Sequence, residues 1–137
     1  MRVAELRDFC LALPGAFEDR PFGPETSVIK IDAPVPGGSR RDTKMFALYR
    51  EDQLPLTVNL KCEPALAEQL RAAHPEITAG YHMNKKHWNT VDCSGALPDQ
   101  TIRDLIEDSY DLVVSSLTKL QQEALGWRGL VARGSDD

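Results

Sequence analysis

The sequence predicts an α+β protein, a two-layer sandwich in which helices pack on one face of an antiparallel sheet. Segments of helical periodicity separate a run of three strand-like segments from a run of two, in the order helix, three strands, helix, two strands, helix. Consecutive strands are joined by links too short for a parallel crossover, which favours antiparallel pairing. The chain of 137 residues has the length of one domain. We expect that domain to occupy residues 1–125, with a flexible C-terminal tail at 126–137.

Three segments have the apolar spacing of amphipathic helices. In the first, apolar residues recur at steps of three and four from Val3 to Leu13, and Pro14 then ends the helix. A second helix has Pro64 in its first turn and runs to about Ala73. The third begins at residues 98–99 and keeps its helical period to residue 120, for more than five turns.

The remaining ordered segments resemble strands. They have β-branched, mixed apolar or alternating residues and are bounded by residues typical of turns. The predicted strands are 27–31, 44–49, 54–61, 77–81 and 87–92. A long hairpin loop at 34–42 joins the first two, and a loop at 82–86 joins the last two.

Alternation along the last strand predicts which side chains leave the hydrophobic core. If Val91 faces the helices, Trp88 stands on the opposite, open face of the sheet, near residues such as Lys61 or Lys30. A β-bulge would reverse this orientation. The alternative is a Trp88 that is covered by its own loops or by the first helix, because most tryptophans are largely buried. An exposed indole would offer a large contact area at small entropic cost.

Charge is unevenly distributed along the chain. Sixteen Lys and Arg against 21 Asp and Glu give a net charge of −5 and a pI near 5.2, which argues against a uniformly basic nucleic-acid coat protein. Basic residues nevertheless concentrate in the two predicted loops. These residues are Arg40, Arg41 and Lys44 on one hairpin, at its loop and the start of its second strand, and Lys85 and Lys86 in the other loop.

The segment 80–91, GYHMNKKHWNTV, is more specific than any periodicity. It resembles the signature of the MmcQ/YjbR family of small bacterial proteins. Further stretches at 13–15, 21–24, 44–48 and 105–113 resemble the family in the same order. One departure is Ala79, where family members usually carry proline, and no chemical group is lost by it. The resemblance implies a two-layer fold similar to that of the frataxin-like proteins.

The resemblance also implies weak DNA binding through a "double-wing" arrangement, in which two β-hairpin loops contact the duplex. The five basic residues of the two loops would contact phosphates in a salt-dependent manner. Asn84, His87 and Trp88 would add polar or stacking contacts. These eight residues are the predicted nucleic-acid site.

The main alternative is a protein-interaction module that uses the open sheet face around Trp88. We do not expect an enzyme, because Cys93 lies too far along the strand from His87 to form a dyad. No metal-ligand spacing or phosphate-binding loop is recognisable, so neither a metal nor a cofactor is expected. Three cysteines without a C-x-x-C pair, together with the lack of a signal sequence or apolar span, favour the cytoplasm, without membrane contact.

Overall fold

The computed structural model describes residues 1–80 and 83–126. Ten elements follow one another along the chain. They are α1 (Val3–Leu11), β1 (Ala16–Asp19), β2 (Thr26–Pro34), β3 (Arg41–Arg50), β4 (Thr57–Lys61), α2 (Pro64–Ala73), β5 (Ile77–Ala79), β6 (Trp88–Asp92), α3 (Asp99–Ser115) and α4 (Lys119–Leu125). Of the predicted tail at 126–137, all but Gly126 lies outside the described residues, as do Tyr81 and His82.

The six strands form one open sheet in the order β1-β2-β3-β4-β6-β5, with every pair antiparallel. One face of the sheet is covered by the helices, and its apolar side chains join theirs in a single core. Alternate strand side chains point to the other face, which no helix of the described residues covers. Buried core residues include Ile29, Ile31, Phe46, Val58, Val91, Leu6, Cys10, Ile106 and Tyr110.

The α+β class is confirmed, but the predicted number of elements is wrong in two places. The strand β1 was not predicted, because its four residues, AFED, include two carboxylates and too few apolar side chains to show a pattern. The third helix does not continue to residue 120. It ends at Ser115, where the hydroxyls of Ser115 and Ser116 donate to carbonyls three residues earlier, at 2.6 Å each. Thr118 then caps the separate helix α4.

A β-bulge in β3 sets the orientation of its central residues. Ile29 pairs with Ala47 and Lys30 pairs with Met45, so Phe46 is an extra residue between them. Ser109 of α3 stabilises this bulge: its hydroxyl, fully buried, donates to the Phe46 carbonyl at 2.6 Å and accepts from the Lys61 amide at 2.9 Å. One hydroxyl therefore joins α3 to both β3 and β4.

The strand order also determines where the two basic loops lie. Since β2 and β3 are antiparallel, their connection at 35–40 lies at the end of the sheet where β2 finishes. The strands β4 and β5 run in the same direction as β2, so the β5–β6 connection leaves the sheet at that same end. We call this the loop end of the sheet.

Candidate functional site

The open face of the sheet carries a groove of about 590 Å³. Its floor is formed by side chains of β2, β3, β4 and β6, and its two ends are closed by the loop at 20–25 and the loop at 83–87. The size is within the range of pockets that hold small molecules or short segments of polymers. The lining residues are Phe22, Thr26, Met45, Leu48, Arg50, Gln53, Thr57, Asn59, Met83, Asn84, Trp88 and Thr90.

Trp88 lines this groove at the loop end and is half-buried. Val91 is buried among the helices, so the predicted orientation of Trp88 toward the open face is confirmed. Lys61 is its direct partner across the β4–β6 pair, as expected. The expectation for Lys30 is wrong: it lies on β2, three strands away, and its ammonium contacts Asp19 at 2.8 Å.

Gly80 supports the backbone beneath Trp88. Its amide donates to the Trp88 carbonyl oxygen at 2.8 Å. A Cβ atom added at Gly80 would lie 2.9 Å from Cβ of Trp88 and 3.0 Å from its carbonyl oxygen, closer than real side chains approach. The glycine is therefore required by close approach, and it fixes where the indole leaves the sheet.

The loop at 83–87 is a compact turn organised by Asn84. The Asn84 side-chain oxygen accepts from the Lys86 amide at 3.0 Å, and its carbonyl oxygen accepts from the amides of His87 and Trp88 at 3.1 and 3.0 Å. Asn84 is thus mainly a turn residue, and only its side-chain NH₂ remains for a ligand. His87 is half-buried and is not among the residues that line the groove, although it was predicted as a contact residue.

Arg71 of α2 braces this loop from the helix side. Its guanidinium donates to the Asn89 side-chain oxygen at 2.8 Å and to the Lys85 carbonyl oxygen at 3.5 Å. Lys85 and Lys86 themselves are exposed. Within residues 1–80 and 83–126, no carboxylate lies within 4.0 Å of the ammonium groups of these two lysines or of Lys61. Three lysines without a carboxylate partner among the described residues therefore lie around the Trp88 end, although none of them is among the residues that line the groove.

The other basic loop differs from the expectation. It reaches the loop end of the sheet, but Arg40 contacts Asp42 at 3.6 Å and Arg41 contacts Asp32 at 3.4 Å. The pKa of Asp42 is held below its ordinary value, first by a hydrogen bond from Gln121 and then by the charges of Arg40 and Lys44. Two acids thus lie among the three cations of this hairpin, so the single surface of five unpaired cations is not formed.

The floor of the groove has hydrogen-bonding groups that are largely engaged with each other. The Thr90 hydroxyl donates to the Asn59 side-chain oxygen at 2.6 Å. The Asn59 NH₂ donates to the Leu48 carbonyl oxygen at 3.3 Å. These groups give the floor a fixed polar surface but leave few groups for reading a ligand in detail.

Phe22 closes the far end of the groove, and it was not among the predicted residues. It stands between Pro21 and Pro24 in a connection that sequence patterns mark only as a turn. In β4 the neighbours Val58 and Leu60 are buried, so alternation places Asn59 on the open face. Among the described residues no group of three His, Cys, Asp or Glu side chains could hold a metal ion. No helix in this part of the chain is long and apolar enough to cross a bilayer.

The fold is of the α+β class: over the residues that the structure describes, four helices pack on one face of an open six-stranded antiparallel sheet. A sequence model of the YjbR family matches residues 11–112. The chain therefore belongs to the YjbR family, and the predicted resemblance is confirmed.

Relatives in sequence and structure agree with this assignment. The chain is 33% identical over 125 residues to the uncharacterized protein YjbR of Escherichia coli K12, covering 91% of this chain and 98% of that one. It is 41% identical over 103 residues to the uncharacterized protein YbdF of Escherichia coli O157:H7, covering 75% and 76%. The crystal structure of the Deinococcus radiodurans protein DR2400 is similar with a TM-score of 0.83 and 39% identity, covering 94% of this chain and 91% of that chain.

Proposed function

We propose that the protein binds single-stranded nucleic acid along the groove on the open sheet face. The observation that carries the proposal is the arrangement at the loop end, where Trp88 lines the groove, Lys61 is its cross-strand partner and the exposed Lys85 and Lys86 belong to the adjoining loop. An aromatic face beside unpaired cations suits a base stacked next to its phosphate, because stacking and phosphate contact act together in single-strand recognition.

A single strand fits the groove better than a duplex does. The duplex interpretation requires both loops to present free cations, whereas Arg40 and Arg41 are paired with Asp42 and Asp32. The groove instead presents a broad sheet face with one large aromatic residue, a surface on which unpaired bases can lie. The net charge of −5 confines attraction to this region and favours weak, salt-dependent binding.

Recognition is expected to be largely independent of base sequence. The polar groups of Asn59 and Thr90 are bonded to each other, so they offer few donors or acceptors to base edges. Stacking on Trp88 and phosphate contact with lysines tolerate any base.

The test is a fluorescence anisotropy titration with a labelled octathymidylate and with a duplex of equal length. Trp88→Ala should weaken binding of the single strand by about 1–3 kcal/mol, the contribution of one base–aromatic stack. Replacing Lys85 and Lys86 together by Gln should also weaken it. The matched control replaces Arg40 and Arg41 by Gln, which removes the same charge from the other loop and should have little effect.

A peptide or protein segment in the groove is the second candidate. It is favoured by the apolar side chains of Met45, Leu48, Met83 and Phe22 in the lining. If the lysine and Trp88 variants leave oligonucleotide binding unchanged, the nucleic-acid proposal is wrong and this candidate becomes the better one.

A further inference from the structure

The end of the groove opposite Trp88 carries an aromatic residue held in an exposed position. Phe22 has 69% of its surface exposed and lines the groove. Its loop is braced by Arg20, whose guanidinium contacts Glu18 at 3.2 Å and Glu51 at 2.5 Å and also donates to the Pro24 carbonyl oxygen. The hydrogen bond from Arg20 is also the main reason that the pKa of Glu51 lies below its ordinary value.

The two ends of the groove differ in charge. At the Trp88 end the lysines are without carboxylate partners in the described part of the chain, as shown above. At the Phe22 end the lining cation is Arg50, and both its Nε and Nη2 atoms are bonded to Asp52, at 3.1 and 3.0 Å. A polyanion therefore gains phosphate contacts mainly at one end, and at the other it meets an aromatic ring.

The strand register gives the separation of the two ends. Trp88 pairs with Lys61 on β4, and Thr26, at the foot of the Phe22 loop, pairs with Arg50 on β3. Between them lie three inter-strand spacings of about 4.8 Å and about four residue rises of 3.3 Å, which together give a diagonal of about 19 Å. A strand that keeps the rise found in duplex DNA, about 3.4 Å per nucleotide, covers this distance in about five or six steps.

We propose that Phe22 is a second base-stacking position, and that one single strand spans the groove from Trp88 to Phe22 with a footprint of about six nucleotides. The inference rests on the proposed function, since it places the far end of the same ligand. Arg20 acts as a positioning residue, because it contacts the loop and not the ligand.

The experiment measures affinity as a function of length, using labelled oligothymidylates of two, four, six and eight nucleotides. For the unmodified protein, affinity should rise up to about six nucleotides and then change little. Phe22→Ala should weaken binding of the six- and eight-nucleotide strands about five-fold or more and leave the two-nucleotide strand unchanged. Phe22→Tyr should retain the affinity, because an aromatic ring remains.

Leu54→Ala is the matched control. Leu54 lies in the β3–β4 turn, has 91% of its surface exposed and is not among the residues that line the groove. It should change affinity less than two-fold at every length. If Phe22→Ala has no effect, or weakens all lengths equally, the second stacking position is wrong. In that case loss of binding in the Lys85→Gln/Lys86→Gln variant still supports the proposed function. If neither variant changes binding, both proposals are wrong.

Discussion

Replacing Gly80 by Ala tests how the sheet holds Trp88. The added methyl group would lie 2.9 Å from Cβ of Trp88, 3.0 Å from its carbonyl oxygen and 3.2 Å from its carbonyl carbon. Two of these neighbours are backbone atoms of β6, so a side-chain rotation cannot relieve the contact. The β6 backbone must move away, which also strains the 2.8 Å hydrogen bond between the two residues.

The expected loss of stability follows from two opposing effects. Inserting a methyl group into a closely packed site costs about 1–3 kcal/mol. Replacing glycine by alanine regains about 0.4–1 kcal/mol, because the unfolded chain loses conformational freedom. Gly80→Ala should therefore lower the free energy of unfolding by about 1–2 kcal/mol.

Urea unfolding followed by circular dichroism measures this loss. The matched control is Gly38→Ala, because a Cβ at Gly38 would come no closer than 4.0 Å to its nearest neighbour, Arg40 N. That variant should be as stable as the unmodified protein or slightly more stable. In a Trp127→Phe background, Gly80→Ala should also shift the emission of Trp88. Equal stability of the two alanine variants would show that the close approach of Gly80 to Trp88 does not exist.

Two further predictions concern the core. Ser109→Ala removes a buried hydroxyl that bonds two backbone groups, so it should lower the free energy of unfolding by about 2–4 kcal/mol. The control Ser115→Ala removes an exposed hydroxyl and should lower the free energy of unfolding by less than about 0.5 kcal/mol. Similar losses for the two variants would refute the bridging role of Ser109. Burial raises the pKa of the Cys10 thiol to about 12 and that of Cys93 to about 11. Burial also raises the pKa of Cys62, but this thiol is only half-buried, so at pH 8 iodoacetamide should modify Cys62 first. Mass spectrometry showing Cys10 modified as fast would contradict the packing described here.

Elements with strong local signals were predictable from the sequence. The bounds of α2 agree with the structure, because Pro64 can begin a helix and His74–Pro75 cannot continue one. The strand β1 was missed because four residues are too few to show a pattern, and it is held as a strand by its pairing with β2. The break after Ser115 was missed because the apolar period continues to residue 120, whereas the extended backbone and side-chain cap at Thr118 separate the two helices.

The candidate site was predictable only in part. The orientation of Trp88 follows from simple alternation, since no bulge interrupts the pairing of β6 with β4. The pairing of Arg41 with Asp32 depends on the register of β2 and β3, so it could not be read from spacing along the chain. The position of Phe22 depends on the contacts of Arg20 with Glu51, a residue 31 positions away.

The salt dependence of oligonucleotide binding tests the central claim most directly. Three lysines at the Trp88 end predict that log K falls with log salt with a slope of about −2 for a single strand, at about 0.7 per phosphate contact. Replacing Lys85 and Lys86 by Gln should reduce the slope to about −0.7, whereas replacing Arg40 and Arg41 should leave it near −2. A slope that does not respond to the lysine changes, or a duplex bound more tightly with a slope near −4.5, would contradict binding in the groove.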